Sequence, residues 1–156
     1  MRRFEEYVNI YERTETGRPF IDMPLTTISG KDTSLGEICA ENRWVLLDFW
    51  ATWCEPCLEE IPYLQQAYAK YALQGFEICS ISIDRDPLRW QTFVARNQML
   101  WTNAIDLPAE GGNSAAETYG LQSIPCNFLI SPDGIIVARN LRGEDLLREL
   151  ETRLEN

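Results

Sequence analysis

A chain of 156 residues, 45% of them hydrophobic, is long enough to close one core and short for two, so one domain is expected. Its formal net charge is −10 and no basic cluster exceeds the adjacent pair Arg2-Arg3, which excludes the electrostatic footprint of a nucleic-acid or anionic-lipid binder. There is no histidine, the commonest general base and metal ligand, and five cysteines scattered singly or as one close pair do not make a disulfide framework.

Residues 1–17 are charged, lack a clean period and end at a Gly-Arg-Pro break, so they read as a lead-in arm, with residues 18–156 forming the domain. Phe20-Ile21 and Leu25-Thr26-Thr27-Ile28 flank Ser29-Gly30-Lys31-Asp32, which predicts a β-hairpin. Leu35 to Glu41 is a short helical or irregular link. Val45 to Trp50 is almost continuously apolar, as a strand covered on both faces must be, and Asp48 is its one ionisable residue. An amphipathic helix follows from Leu58 to Leu73, with Leu58, Ile61, Leu64, Tyr68 and Tyr71 at helical spacing, a kink expected at Pro62 and an end at Gly75. Phe76 to Ile83 reads as a second buried strand, and Asp86-Pro87 offers an N-cap and first-turn proline to a helix bearing Trp90, Phe93 and Val94. Ser114 and Glu117 fit a capping box closed by Gly120, and Asn127–Ile130 and 135–139 are strands joined through Ser131-Pro132-Asp133-Gly134. A last helix carries Leu146, Leu147, Leu150 and Leu154 on one face, with Glu144/Arg148 and Glu149/Arg153 spaced as i,i+4 ion pairs.

The chemistry concentrates at Trp53-Cys54-Glu55-Pro56-Cys57, where a strand turns into a helix. Two thiols separated by two residues can close a small disulfide, and the unpaired N–H groups and dipole of a helix start stabilise a thiolate. Thiol–disulfide exchange is the reaction suggested. Structural zinc would need four ligands, and neither histidine nor a second CxxC exists to supply them. Leu58 after Cys57 excludes the haem-attachment signal. Glu55 either opposes a second negative charge at Cys54, which favours a reductant over an oxidant, or is simply solvated at the helix start.

The strand-to-Trp53-Cys54-Glu55-Pro56-Cys57 junction, the Ile124-Pro125 pair before a strand and the Pro132-Asp133-Gly134 turn resemble the thioredoxin fold. The leading hairpin, the Phe49-Trp50-Ala51-Thr52-Trp53-Cys54 run and Glu60 narrow the resemblance to the TlpA/ResA-like branch of thiol–disulfide oxidoreductases. The fold implied is α/β, a mixed β-sheet with helices on both faces plus an N-terminal hairpin. The resemblance implies that Cys54 is the exposed nucleophile and Cys57 the buried resolving thiol, that Asp48 or Glu60 takes up the resolving proton, and that Pro125 is cis. It leaves the backbone of Ile124 free to pair with substrate, beside Trp53, Glu55 and Pro56. The branch often has a neutral residue at the Asp48 position, so carrying both acids is a departure. Trp50 and Trp53 are expected to pack the site and offer contact surface, and Cys39, Cys79 and Cys126 to be small core residues.

The resemblance implies no cofactor and no metal, protein or small-molecule disulfides as substrates, an upstream thiol donor and a monomer. Relatives are mostly tethered to or exported across a membrane, yet no apolar run here has signal-peptide length, which leaves the cell envelope and the cytoplasm as compartments. A thiol peroxidase is the rival enzyme, although the proline–threonine–cysteine signature of peroxiredoxins is absent, since Ala51 occupies the position three before Cys54. A non-catalytic binding module using the groove near Trp53 and Pro125 is the rival outside catalysis.

Overall fold

The structure, a computed structural model, describes residues 13–108, 112 and 114–155; most of the lead-in arm lies outside them. Seven consecutive residues, Trp44–Trp50, are all buried, so this strand can lie only at the centre of a sheet covered on both faces. Numbered in chain order, the strands are β1 (Pro24–Thr26), β2 (Asp32–Ser34), β3 (Trp44–Trp50), β4 (Phe76–Ser82), β5 (Thr102–Ile105), β6 (Cys126–Ile130) and β7 (Ile136–Arg139). The helices are α1 (Leu35–Glu41), α2 (Glu55–Tyr71), α3 (Pro87–Arg96), α4 (Ala115–Thr118) and α5 (Gly143–Leu154). The main sheet has the order β5-β4-β3-β6-β7, parallel through β5, β4 and β3 and antiparallel at β6 and β7.

Strand alternation divides the core in two. Val45, Leu47 and Phe49 point to one face, where Leu25, Leu35, Ile38, Tyr119 and Phe128 pack. Leu46 and Trp50 point to the other, against Ile61, Leu64 and Ala67 of α2 and Leu146 and Leu150 of α5. The same parity puts Asp48 on the α2 face. It thereby faces the helix that carries the two cysteines.

Several expectations shift. The helix after β3 starts at Glu55, because Cys54 serves as its N-cap and Pro56 fits its first turn, and it continues through Pro62 to Tyr71 as one element. The segment after Trp101, unassigned from sequence, is the edge strand β5. Phe20-Ile21 lies outside the hairpin: the Phe20 N–H donates to the Gly134 carbonyl at 3.0 Å, and the Tyr119 hydroxyl bonds both backbone groups of Ile21. The hairpin itself hooks onto β5 through the Ile28 N–H and the Asn103 carbonyl. On α5, Glu149 and Arg153 pair as expected at 3.0 Å, whereas Arg148 takes Asp145, three residues back, rather than Glu144. Both pairs are open to solvent and contribute little.

Gly75 is required by the turn that feeds β4. Its φ is +90°, its carbonyl accepts from the Arg43 and Trp44 N–H groups, and an added Cβ would meet Arg43 Cγ at 2.9 Å. Gly75→Ala should therefore lower stability by about 1–2 kcal/mol with the fold retained. Urea denaturation together with far-ultraviolet circular dichroism measures both.

Candidate redox site

Cys54 ends the turn from β3 and caps α2: its backbone is extended (φ −95°, ψ 100°), and its Sγ accepts the Cys57 N–H at 3.3 Å. The two cysteines form a disulfide with their Cα atoms 5.2 Å apart. The helix start thus aims a backbone donor at the first sulfur, where it would stabilise a thiolate once the bond opens. The expected contrast in exposure is small: Cys54 is 6% exposed and Cys57 3%. Cys54 is not open to solvent and shares one buried cluster with Trp50 and Ala51. The aromatic pair divides in the same way. Trp50 is core, 5.5 Å from the Phe93 ring, while Trp53 is 60% exposed and so presents surface rather than packing the site. Glu55 and Pro56 are exposed on the first turn.

The turn is pinned by a residue that pattern reading missed. Asp84, 2% exposed, accepts the Thr52 N–H at 3.0 Å and the Thr52 hydroxyl at 2.7 Å, and takes a third bond from the Ser82 hydroxyl. Its carboxylate fixes the residue two before Cys54. The signal available was positional, since Asp84 follows the carboxyl end of a parallel strand, where open α/β sheets build their sites.

Asp48 is 5% exposed, and its Oδ2 accepts the Ser80 hydroxyl at 3.0 Å; Ser80 in turn accepts the Trp101 indole N–H at 2.8 Å. Burial pushes the Asp48 carboxyl from the ordinary 3.8 up to about 7. The Ser80 bond and the Arg142 charge pull it down, while Glu60 adds to the rise, so the two acids lie within electrostatic reach of each other. Glu60 is half-buried, and its Oε1 accepts the Gly143 N–H at 2.7 Å at the start of α5.

The Ile124–Pro125 bond is cis, and both residues are half-buried. Ile124 packs against the core on both sides of the sheet, including the cluster that holds Cys54 and Cys57, and makes no backbone hydrogen bond among the described residues. Beside Pro125 a cleft of about 420 Å³ is lined by Gln122, Ser123, Cys126, Arg139 and Arg142. Cys39, Cys79 and Cys126 are unpaired thiols. Burial raises all three, Cys39 to about 11, so each stays protonated near neutral pH. Only Cys54 and Cys57 are placed for exchange.

A central mixed sheet, a disulfide capping a helix and a cis-proline before an antiparallel strand define a thioredoxin-fold redox protein. Residues 16–139 match the AhpC/TSA family, and the chain belongs to it. Within that family it is a thiol–disulfide oxidoreductase of the ResA-like branch. It is 31% identical over 152 residues to the thiol-disulfide oxidoreductase ResA of Bacillus cereus, covering 97% of this chain and 84% of that one. It is 32% identical over 144 residues to ResA of Bacillus anthracis, covering 92% and 79%. The thioredoxin domain of a thiol-disulfide oxidoreductase from Bacteroides vulgatus superposes with a TM-score of 0.81 at 29% identity, covering 90% of this chain and 98% of that one.

The buried acid makes stability depend on pH. Between about pH 4 and 7 the folded chain keeps a proton on Asp48 that the unfolded chain has released, so stability is highest below that window and falls as pH rises through it. Asp48→Asn removes the penalty. It should be more stable than the parent at pH 8 by up to about 4 kcal/mol, with the advantage vanishing near pH 4. Denaturant midpoints of both proteins across this range give the difference.

Proposed function

We propose that the protein reduces disulfides of other proteins, with Cys54 as attacking thiolate, Cys57 as resolving thiol and the Asp48–Glu60 pair as proton acceptor. The observation that carries the order of attack is the Cys57 N–H directed at Cys54 Sγ, which favours the charge on the first sulfur. The Cys54 thiolate attacks one substrate sulfur, a mixed disulfide forms and the other substrate sulfur leaves as thiolate. Cys57 then gives up its proton, attacks the Cys54 sulfur and releases the second substrate thiol. Two electrons have passed to the substrate, the intramolecular disulfide is restored, and an upstream thiol donor must reduce it again.

An acid poised at about 7 suits the proton step, because near neutral pH its protonated and ionised forms are both populated and it can take up a proton and give it back. The unpaired backbone of Ile124 supports an extended substrate segment pairing there, with exposed Trp53 and Pro56 as contact surface. Glu55 inside the CxxC pair supports reduction over oxidation. The reading takes the chain as a monomer without nucleic-acid partners, consistent with its net charge of −10. It places the exchange outside the cytoplasm, as the ResA-like branch implies; among the described residues no helix is long and apolar enough to cross a membrane.

Cys57→Ser should attack substrate but fail to release it, accumulating a covalent adduct through Cys54, whereas Cys54→Ser should trap little. Non-reducing electrophoresis of both variants after exposure to a native extract, with mass spectrometry of the adduct, reads the outcome and identifies the partner. Equal trapping by the two variants would sink the division of roles.

Asp48→Asn and Glu60→Gln should each slow disulfide reduction at pH 7 by roughly ten-fold or more, with the deficit shrinking at high pH where the thiol ionises unaided. Stopped-flow rates from pH 5 to 9 test this. Parental rates throughout would make both acids structural.

A further inference from the structure

Residues 140–143, from the end of β7 to the first residue of α5, are tied to Asn127 of β6 and to Pro125 and Glu60 of the site. Asn140, at a left-handed φ of 55°, donates its N–H to the Asn127 carbonyl at 2.8 Å. Leu141 is held at both backbone groups by the buried Asn127 amide, each bond 2.9 Å, and Asn127 is the residue opposite Asp48 in the β3–β6 register. Gly143 donates to Glu60. Leu141 also packs against the cluster that holds Cys54 and Cys57, and Arg142 contributes a charge: its Nη2 donates to the Pro125 carbonyl. Nη1 is buried with no hydrogen-bond partner among the described residues.

We propose that Arg142 is a positioning residue for disulfide exchange, fixing the Pro125 carbonyl at the substrate-pairing edge and holding a positive charge toward the Asp48–Glu60 carboxylates. The inference rests on the exchange reading above. A guanidinium stays charged at any working pH, and its planar fork lets one nitrogen bond a carbonyl while the charge acts elsewhere. With Nη1 stripped of water, its attraction for a nearby anion is less screened than at the surface. Burial raises Asp48, and the Ser80 hydrogen bond first and the Arg142 charge second oppose that rise. The titratable and charged groups that act on Asp48 or feel it are Glu60 from α2, Arg142 from the loop, Cys79 from β4 and Cys126 from β6. Arg142 is the cation of this set.

Two substitutions in the full chain separate the charge from the hydrogen bond. Arg142→Gln removes the charge; Arg142→Lys keeps it but loses the fork. Carbon-detected NMR titration of the Asp48 carboxyl in the oxidised protein, and kcat/KM against pH with insulin as the disulfide probe, are the two readouts. In Arg142→Gln, Asp48 should titrate about one pH unit higher, and the midpoint of kcat/KM should move with it. Arg142→Lys should keep the parental midpoint while KM for insulin rises several-fold. An Asp48 titration unchanged in Arg142→Gln overturns the proposal, as does a kcat/KM midpoint that stays put while Asp48 moves. If Arg142→Gln does not fold, Arg142→Lys decides alone: a parental KM overturns the positioning role. Asp48→Asn in the same assay tells the two readings apart. A parental profile there defeats the proton-acceptor reading and this proposal with it, whereas loss of the midpoint in Asp48→Asn together with an unmoved midpoint in Arg142→Gln defeats this proposal only.

Discussion

A carboxyl group buried in the middle strand of the sheet sets the terms for the rest of the site. Taking Asp48 out of water is expensive, and what surrounds it offsets that cost by separate means: a hydroxyl from β4, an arginine from the last loop and a proton retained to neutral pH. Each means has a structural consequence. The hydroxyl requires β3 and β4 in strict register, which their parallel pairing of Asp48 with Ser80 provides. The arginine requires the loop after β7 to fold back over β6, and the side chain of Asn127 holds it there.

The turn bearing the cysteines depends on a second buried acid with a different task. Among the described residues Asp84 bonds neutral donors from Thr52 and Ser82, and so serves as a bracket between the ends of two parallel strands. Opening the disulfide removes one covalent link across three residues but none of these bonds. The scaffold that presents Cys54 is therefore held independently of the bond that the reaction makes and breaks.

What the sequence disclosed was what periodicity and local chemistry encode. The apolar run of β3, the CxxC pair at a strand–helix junction, the proline-led start of α3 and the 131–134 turn are each written in a few adjacent residues. Which face Asp48 occupies became readable from strand parity only once the structure had placed α2 against β3. Asp84, Asn127 and Arg142 were missed because each acts on partners 14 to 32 residues away along the chain, and an aspartate, asparagine or arginine near a strand end looks the same whether solvated or clamped. Arg148 choosing Asp145 over Glu144 reflects side-chain reach on an exposed helix, where i,i+3 and i,i+4 partners compete within a few tenths of a kcal/mol. The near-equal burial of Cys54 and Cys57 is likewise a packing outcome, since both lie in one buried cluster that periodicity does not reveal.

The chain from Trp101 through Ser80 to Asp48 also carries a direction. An indole can only donate, so the Ser80 oxygen receives the Trp101 hydrogen and its single proton goes to Asp48 Oδ2. With one lone pair of Oδ2 taken by the Ser80 hydroxyl, Oδ1 is the oxygen that this chain leaves open to a proton. The acid is asymmetric before any substrate arrives: one oxygen is anchored to the strand beside it, and the other is the freer berth for a proton that enters or leaves.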